Sequence, residues 1–198
     1  AHFLPWVLRA VRKAAEMGLK IPLVYNCGGY ELEESLELLD GVVNIYLPDM
    51  KYGDDAAGHA LCGVRDYVAV NHAAVRRMFK QVGPLKVDRY GIAVRGLLVR
   101  HLVLPNNFVF SEAIADFLGS VFDPDDITIS LMAQYQPLYR AGTLPAINRR
   151  ITPGEYERAK NVFVKRGFPG YYQEYDRLDN AFRIDFKKRK SEPLTGDR

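Results

Sequence analysis

Apolar positions along the chain fall into two kinds of segment. Some recur every three or four residues, as on one face of a helix, and others form short unbroken runs. Leu4, Val7, Leu8, Val11, Ala14 and Ala15 follow the helical spacing. They predict an amphipathic helix over residues 3–17, with Gly18 placed to stop it. A second helix is predicted over 31–39, its first half rich in acids that favour the N-terminal dipole, and Gly41 ends it. Val68, Val75, Met78, Phe79 and Val82 mark a third over 68–82, closed by Gly83-Pro84. Residues 54–63 suit a short helical turn. Ser111 is placed to cap a helix reaching about Val121. Thr152-Pro153-Gly154-Glu155 reads as a capping box with proline at the first helical position, opening a helix to about Arg166.

The unbroken runs are short and apolar at nearly every position. They span 21–25, 42–47, 97–104 and 127–132, with a hairpin over 85–94 around Arg89-Tyr90-Gly91 and a further strand near 182–186. Runs of this kind, alternating with helices, predict strands covered on both faces, hence a parallel sheet in an α/β fold. Such folds place their chemistry at the C-terminal ends of the strands. The residues to inspect are therefore Asn26 and Cys27, then Asp49, Met50 and Lys51, then Arg100 and His101, then Gln134 to Gln136.

Asp49 and Lys51 are two apart, so in extended chain they point to one side. Together they suit the ammonium and carboxylate of an amino acid or a metal-bridged anion, and equally an ion pair at a strand end. Arg100 interrupts an apolar run, and a buried guanidinium needs a partner or an anionic ligand. His101, beside it, reads as a hydrogen-bonded core histidine or as a catalytic one. Asn26-Cys27-Gly28-Gly29 lacks the lysine and hydroxyl residue of a phosphate loop. Cys27 has no base nearby in sequence to activate it as a nucleophile.

Composition narrows the field only a little. The chain has 198 residues, 48% hydrophobic and 26% charged, in the range of ordinary globular domains. No apolar run reaches the roughly 18 residues of a membrane span, and no signal peptide is evident. The net charge is +3, with a basic cluster at Lys187, Lys188, Arg189 and Lys190. That cluster reads as a solvated, disordered tail from about 187 onward, or as a nucleic-acid contact; no established nucleic-acid motif accompanies it. Two cysteines, Cys27 and Cys62, form neither a disulfide scaffold nor a zinc site, and fit a reducing cytoplasm.

Several phrases, in order, carry a resemblance. They are Pro22-Leu-Val-Tyr-Asn-Cys-Gly-Gly-Tyr30, Ile45-Tyr-Leu-Pro-Asp-Met-Lys-Tyr52, Arg95-Gly-Leu-Leu-Val-Arg-His-Leu-Val-Leu-Pro105, Leu131-Met-Ala-Gln-Tyr-Gln-Pro137 and Ile147-Asn-Arg-Arg-Ile-Thr152. Over roughly residues 1–167 the chain resembles radical S-adenosylmethionine (SAM) proteins related to the pyruvate formate-lyase activating enzyme. The resemblance implies a partial TIM-like (β/α) barrel over 1–167, followed by a C-terminal extension over 168–198. It implies SAM lying across the strand tops beside a 4Fe–4S cluster, and reductive cleavage of SAM to a 5′-deoxyadenosyl radical. In the activating enzymes that radical abstracts a hydrogen from a glycine of a partner protein, and the motifs here are compatible with such a glycyl radical enzyme or with a small molecule as the target. A flavodoxin or ferredoxin is the implied electron donor, and neither membrane nor nucleic acid is implied as a partner. Carried over residue by residue, Asn26 falls near the methionyl group of SAM. Asp49 and Lys51 match the family's Asp-x-Lys pair, and Arg100 an arginine near the SAM carboxylate. Tyr135 and Gln136 stand where the activases have a Tyr-His pair.

The family's CxxxCxxC loop and first two barrel strands are absent from these 198 residues. The resemblance therefore implies a truncated barrel holding strands three to six, with half of the cofactor pocket, inactive by itself. A cluster-less binding or scaffold module is the alternative. An unrelated α/β enzyme, or a nucleic-acid binder using the basic tail, is a third reading.

Overall fold

In the computed structural model, which describes residues 3–175, helices and strands alternate. The predicted strand near 182–186 and the basic run at 187–190 lie outside the described residues. The order is α1 (Leu4–Glu16), β1 (Val24–Cys27), α2 (Glu33–Glu37), β2 (Ile45–Pro48), α3 (Asp55–Cys62), α4 (Tyr67–Val82), β3 (Lys86–Val87), β4 (Ala93–Leu102), α5 (Ser111–Val121), β5 (Thr128–Met132), α6 (Pro153–Val164) and β6 (Gly170–Tyr172). The sheet runs β1-β2-β4-β5-β6 with every neighbour parallel, and β3 pairs antiparallel with β4 as the predicted hairpin. This is the expected α/β class, a parallel sheet bent into part of a β/α barrel. No helix among the described residues is long and apolar enough to cross a membrane.

The core lies between sheet and helices. Tyr46, Leu97, Val99, Ile129 and Leu131 from the strands meet Leu36, Met78, Ile114, Leu118 and Phe163 from the helices, all essentially buried. Each such side chain contributes roughly 1.5–3 kcal/mol of hydrophobic stabilisation. Immediately after residue 167 the chain stays in this core: Phe168 is buried and Gly170–Tyr172 pairs along β5.

Some boundaries move for local reasons. The first strand begins at Val24 rather than at 21. Pro22 has no N–H to donate, and Leu23 is held by Asn44, whose Oδ1 accepts the Leu23 N–H at 2.8 Å. As a result β1 extends to Cys27, so Asn26 and Cys27 belong to the strand and the turn starts at Gly28. The second helix shrinks to Glu33–Glu37, because tight turns over 38–43 replace its last turn. Thr152 and Glu155 form the predicted capping box. Ser111 does not cap α5: it is the first helical residue, after Phe110 at φ 54°. Its hydroxyl is instead 2.9 Å from His101 Nε2, and the other ring nitrogen, Nδ1, is 2.7 Å from the Met50 carbonyl. His101 is therefore a hydrogen-bonded core histidine, not a site residue.

Two expectations follow from these features. Strand β1 is an edge strand, with Ile21 and Val24 70% and 55% exposed beside it. Unpaired backbone flanked by apolar side chains invites pairing with another chain. Light scattering on the isolated 198-residue chain should find dimers or larger species, and Ile21→Lys with Val24→Lys should shift them to monomer; a monomeric wild-type chain would contradict this. The second concerns pH. Burial lowers the His101 pKa from 6.5 to about 4, against the opposing hydrogen bond from Met50. The unfolded chain therefore binds the proton first as pH falls, so the contribution is complete above pH 6.5 and is lost toward pH 4. The loss is about 3 kcal/mol from a shift of this size. Denaturant unfolding across that window should show it, and His101→Gln should remove about half of the slope, His72 contributing a similar share. A slope of undiminished size in that variant would assign it elsewhere, first to His72, which burial and Arg76 also lower to about 4.

Candidate functional site

The site grows out of the ends of three adjacent strands. Asp49, just after β2, bridges in parallel register to Arg100 of β4. The backbone joins these ends: Met50 N–H donates to the Arg100 carbonyl at 2.8 Å, and Asp49 N–H to the Cys27 carbonyl at 3.0 Å. Arg100 then reaches sideways. Its Nη1 donates to Asn26 Oδ1 at 3.1 Å, and its Nε lies 2.8 Å from Asp49 Oδ1. Lys51 Nζ pairs with the other carboxylate oxygen, Asp49 Oδ2. The two-residue spacing of Asp49 and Lys51 thus does place both on one side of the chain. One carboxylate is shared by two cations, and the cluster carries a surplus of one positive charge.

Hydrogen-bonding capacity remains unused here. Arg100 Nε and Asp49 Oδ1 are close enough for a charge contact, yet neither makes an aligned hydrogen bond. Both atoms are buried, although the Asp49 and Arg100 side chains are 15% and 27% exposed. Buried polar atoms without aligned partners are uncommon and call for an explanation such as a ligand or ordered water.

A second layer holds the cluster in place. Asn71, fully buried on α4, donates from Nδ2 to the Gly29 carbonyl at 2.9 Å and the Asp49 carbonyl at 3.0 Å. Gly29 sits at φ 73°, and a Cβ there would collide with the Asp49 carbonyl and the Asn71 amide. Only glycine allows that approach. The Tyr67 hydroxyl accepts the Lys51 N–H at 2.8 Å. Cys27 lies beneath; burial pushes its thiol up to about 12, which keeps it protonated and unreactive near neutral pH.

The cluster opens into a cavity of about 800 Å3. Asp49, Lys51 and Arg100 form a charged floor. The wall belongs to a second apolar cluster, built from Tyr52, Leu104 and Ile147 with Leu61, Leu102 and Leu144 packed against it. Tyr135 also lines the cavity, but its hydroxyl is committed to the Ile147 carbonyl at 2.9 Å. Asn26 joins the site through Arg100, while Gln136 does not line the cavity. Sequence reasoning missed Tyr52, Tyr67, Asn71 and the loop at 138–147. Of these Asn71 left a signal: it falls four residues before Val75 on the apolar face of α4, where a polar residue is anomalous.

The donor set suits a zwitterion, with Arg100 and Lys51 for a carboxylate and Asp49 for an ammonium. It does not suit an iron–sulfur cluster. No group of three His, Cys, Asp or Glu residues among the described residues is arranged to hold a metal.

No family model matches the chain. An uncharacterized protein of Methanocaldococcus jannaschii is 32% identical over 162 residues, which are 81% of this chain and 43% of that protein. The chain thus spans less than half the length of this curated relative. Among solved structures, a domain of pyruvate-formate lyase-activating enzyme from Bacteroides vulgatus superposes with a TM-score of 0.59 at 12% identity, over 86% of this chain and 91% of that domain. This chain and that domain share a fold.

Proposed function

We propose that this chain forms part of the SAM-binding pocket of a radical SAM protein similar to the activators of pyruvate formate-lyase. The observation that carries the proposal is the Asp49–Lys51–Arg100 cluster. It lies at the C-terminal ends of parallel strands, sets a carboxylate between two cations with polar atoms left unpartnered, and faces a cavity large enough for a nucleoside-sized ligand. In this proposal Arg100 and Lys51 take the methionyl carboxylate of SAM, and Asp49 takes its ammonium. Asn26 holds the Arg100 guanidinium at the correct angle, and Asn71 and Tyr67 fix the backbone from which Asp49 and Lys51 project. The protein therefore binds and orients, and its own groups transfer no proton. The apolar wall excludes water from the space above the charged floor.

A 4Fe–4S cluster, if the whole protein holds one, would supply the electron for reductive SAM cleavage; the described residues would hold only SAM, through Arg100, Lys51 and Asp49. A flavodoxin or ferredoxin as electron donor and a glycyl radical enzyme as partner are proposed on the resemblance alone. The domain division at about residue 167 is likewise proposed, with the first residues of the extension continuing the sheet.

Calorimetry provides the test. SAM should bind the chain, and Arg100→Ala or Lys51→Ala should each weaken binding about tenfold or more, some 1.4 kcal/mol. Asp49→Ala should do so more strongly, because it also leaves two cations unpaired. In the full-length protein, reconstituted anaerobically and reduced, Arg100→Ala should lower 5′-deoxyadenosine formation in parallel. SAM binding that is undetectable, or indifferent to all three substitutions, would sink the proposal.

A further inference from the structure

The cavity has a second cationic element that the strand-end cluster does not use. Arg140 lines it from the turn at Tyr139–Thr143. That turn is braced internally, and the chain just after it is held from two sides. Thr143 Oγ1 donates to the Arg140 carbonyl at 2.8 Å, Tyr135 holds the Ile147 carbonyl at 2.9 Å, and Asn106 Nδ2 donates to the Ala146 carbonyl at 2.7 Å. Just beyond, Arg149 grips Glu155 with both Nη atoms at 2.8 Å, and this carboxylate also accepts the Asn106 and Thr152 N–H groups. Arg149 and its backbone bonds hold the Glu155 carboxyl far below the usual range, so the clamp stays charged in any ordinary buffer. The loop is therefore anchored, yet its tip is not used by the fold. Among the described residues the Arg140 guanidinium has no partner. Tyr139 beside it is 96% exposed at φ 52°, a backbone conformation that costs a bulky side chain energy.

The charge of the whole lining is lopsided. Among the described residues, Lys51, Arg100 and Arg140 face a single carboxylate, Asp49. SAM, a sulfonium zwitterion with one net positive charge, would add to that excess rather than offset it. The wall next to Arg140 is apolar, from Leu102, Leu104, Leu144 and Ile147. Charge complementarity then asks the second occupant to be anionic, and the wall asks it to be partly apolar.

We propose that the substrate lobe of this cavity takes a small molecule with an apolar body and a carboxylate or phosphate group, and that Arg140 is the specificity residue that pairs with the anion. The proposal deepens the SAM reading and rests on it for the occupant of the charged floor. Arg140 suits the role chemically, since a guanidinium meets either anion with two parallel N–H donors. The apolar body lies against Leu102 and Leu144.

The experiment is an NMR titration of the chain, with excess SAM present to occupy the charged floor, using hexanoate, its neutral isostere hexanamide, and hexyl phosphate, at fixed pH and ionic strength. Hexanoate should bind at least tenfold more tightly than hexanamide. Arg140→Ala should abolish that preference, and Arg140→Lys should retain part of it. Arg140 is exposed, so its substitutions leave the fold intact, as the amide spectrum itself will report. The ratio of hexyl phosphate to hexanoate affinity identifies which anion the turn prefers. Absence of the preference in the wild-type chain overturns the proposal, as does its survival in Arg140→Ala; an equal response to a neutral glycine peptide does so as well. A SAM titration run alongside separates the two claims: failure to bind SAM removes the cofactor reading, whereas failure of the Arg140-dependent preference removes only the substrate class.

Discussion

The parallel pairing of β2 with β4 is the constraint on which the site depends. Ile45 faces Gly96 and Tyr46 faces Leu97 across this pair, and the same register carried forward sets Asp49 opposite Arg100. Both faces of these strands are covered, so a charge cannot sit along them without a large desolvation cost. It becomes tolerable only where the strands run out of cover, at their C-terminal ends. Alternation along β4 then divides two neighbouring polar residues. Arg100 turns to the strand-end cluster, and His101 turns into the core, where Met50 and Ser111 occupy both of its ring nitrogens.

From that pairing the rest of the site follows by electrostatics. Asp49 is the carboxylate that the described residues bring to the cavity floor, and it is shared by Lys51 and Arg100. Alone, such a cluster is held together by its own charges. A zwitterionic ligand exchanges these internal contacts for its own carboxylate and ammonium, so the net cost of desolvating the site is paid largely in advance by the fold. The supporting contacts from Asn71 and Tyr67 all go to backbone, which leaves the side chains of Asp49 and Lys51 free to face a ligand. The apolar wall is a separate construction. It is made by α3, the far end of β4 and the loop at 138–147, elements brought together beyond the edge of the main core.

Much of this was legible in the residues, for identifiable reasons. The helices α1, α4 and α6 have strong periodicity or explicit caps, and their boundaries fall within a residue or two of expectation. The apolar runs became parallel strands because nothing but coverage on both faces accounts for such runs. Asn26, Asp49 and Arg100 stand out in the sequence because they interrupt or follow those runs, and the structure brings them next to one another and to Lys51. The misses share a different character. Pro22 delayed β1 by withholding a donor, and Ser111 was drawn away from capping by a histidine ten residues earlier. Gln136 lies one residue past Tyr135 yet outside the cavity, since the chain there has left the strand and adjacency no longer implies a shared face.

The sequence by itself determined the class of the fold, the parallel character of its sheet and the strand ends at which chemistry would collect. These are consequences of local periodicity and of the cost of burying charge, both readable from neighbouring residues. Only the tertiary structure decided which of the polar groups meet, that Asp49 serves two cations at once, that Asn71 closes the gap between two loops, and that Arg140 faces the same cavity as Lys51. Those facts depend on contacts between residues tens of positions apart. Such contacts are set by strand register and helix packing summed over the whole core, and no local pattern encodes them.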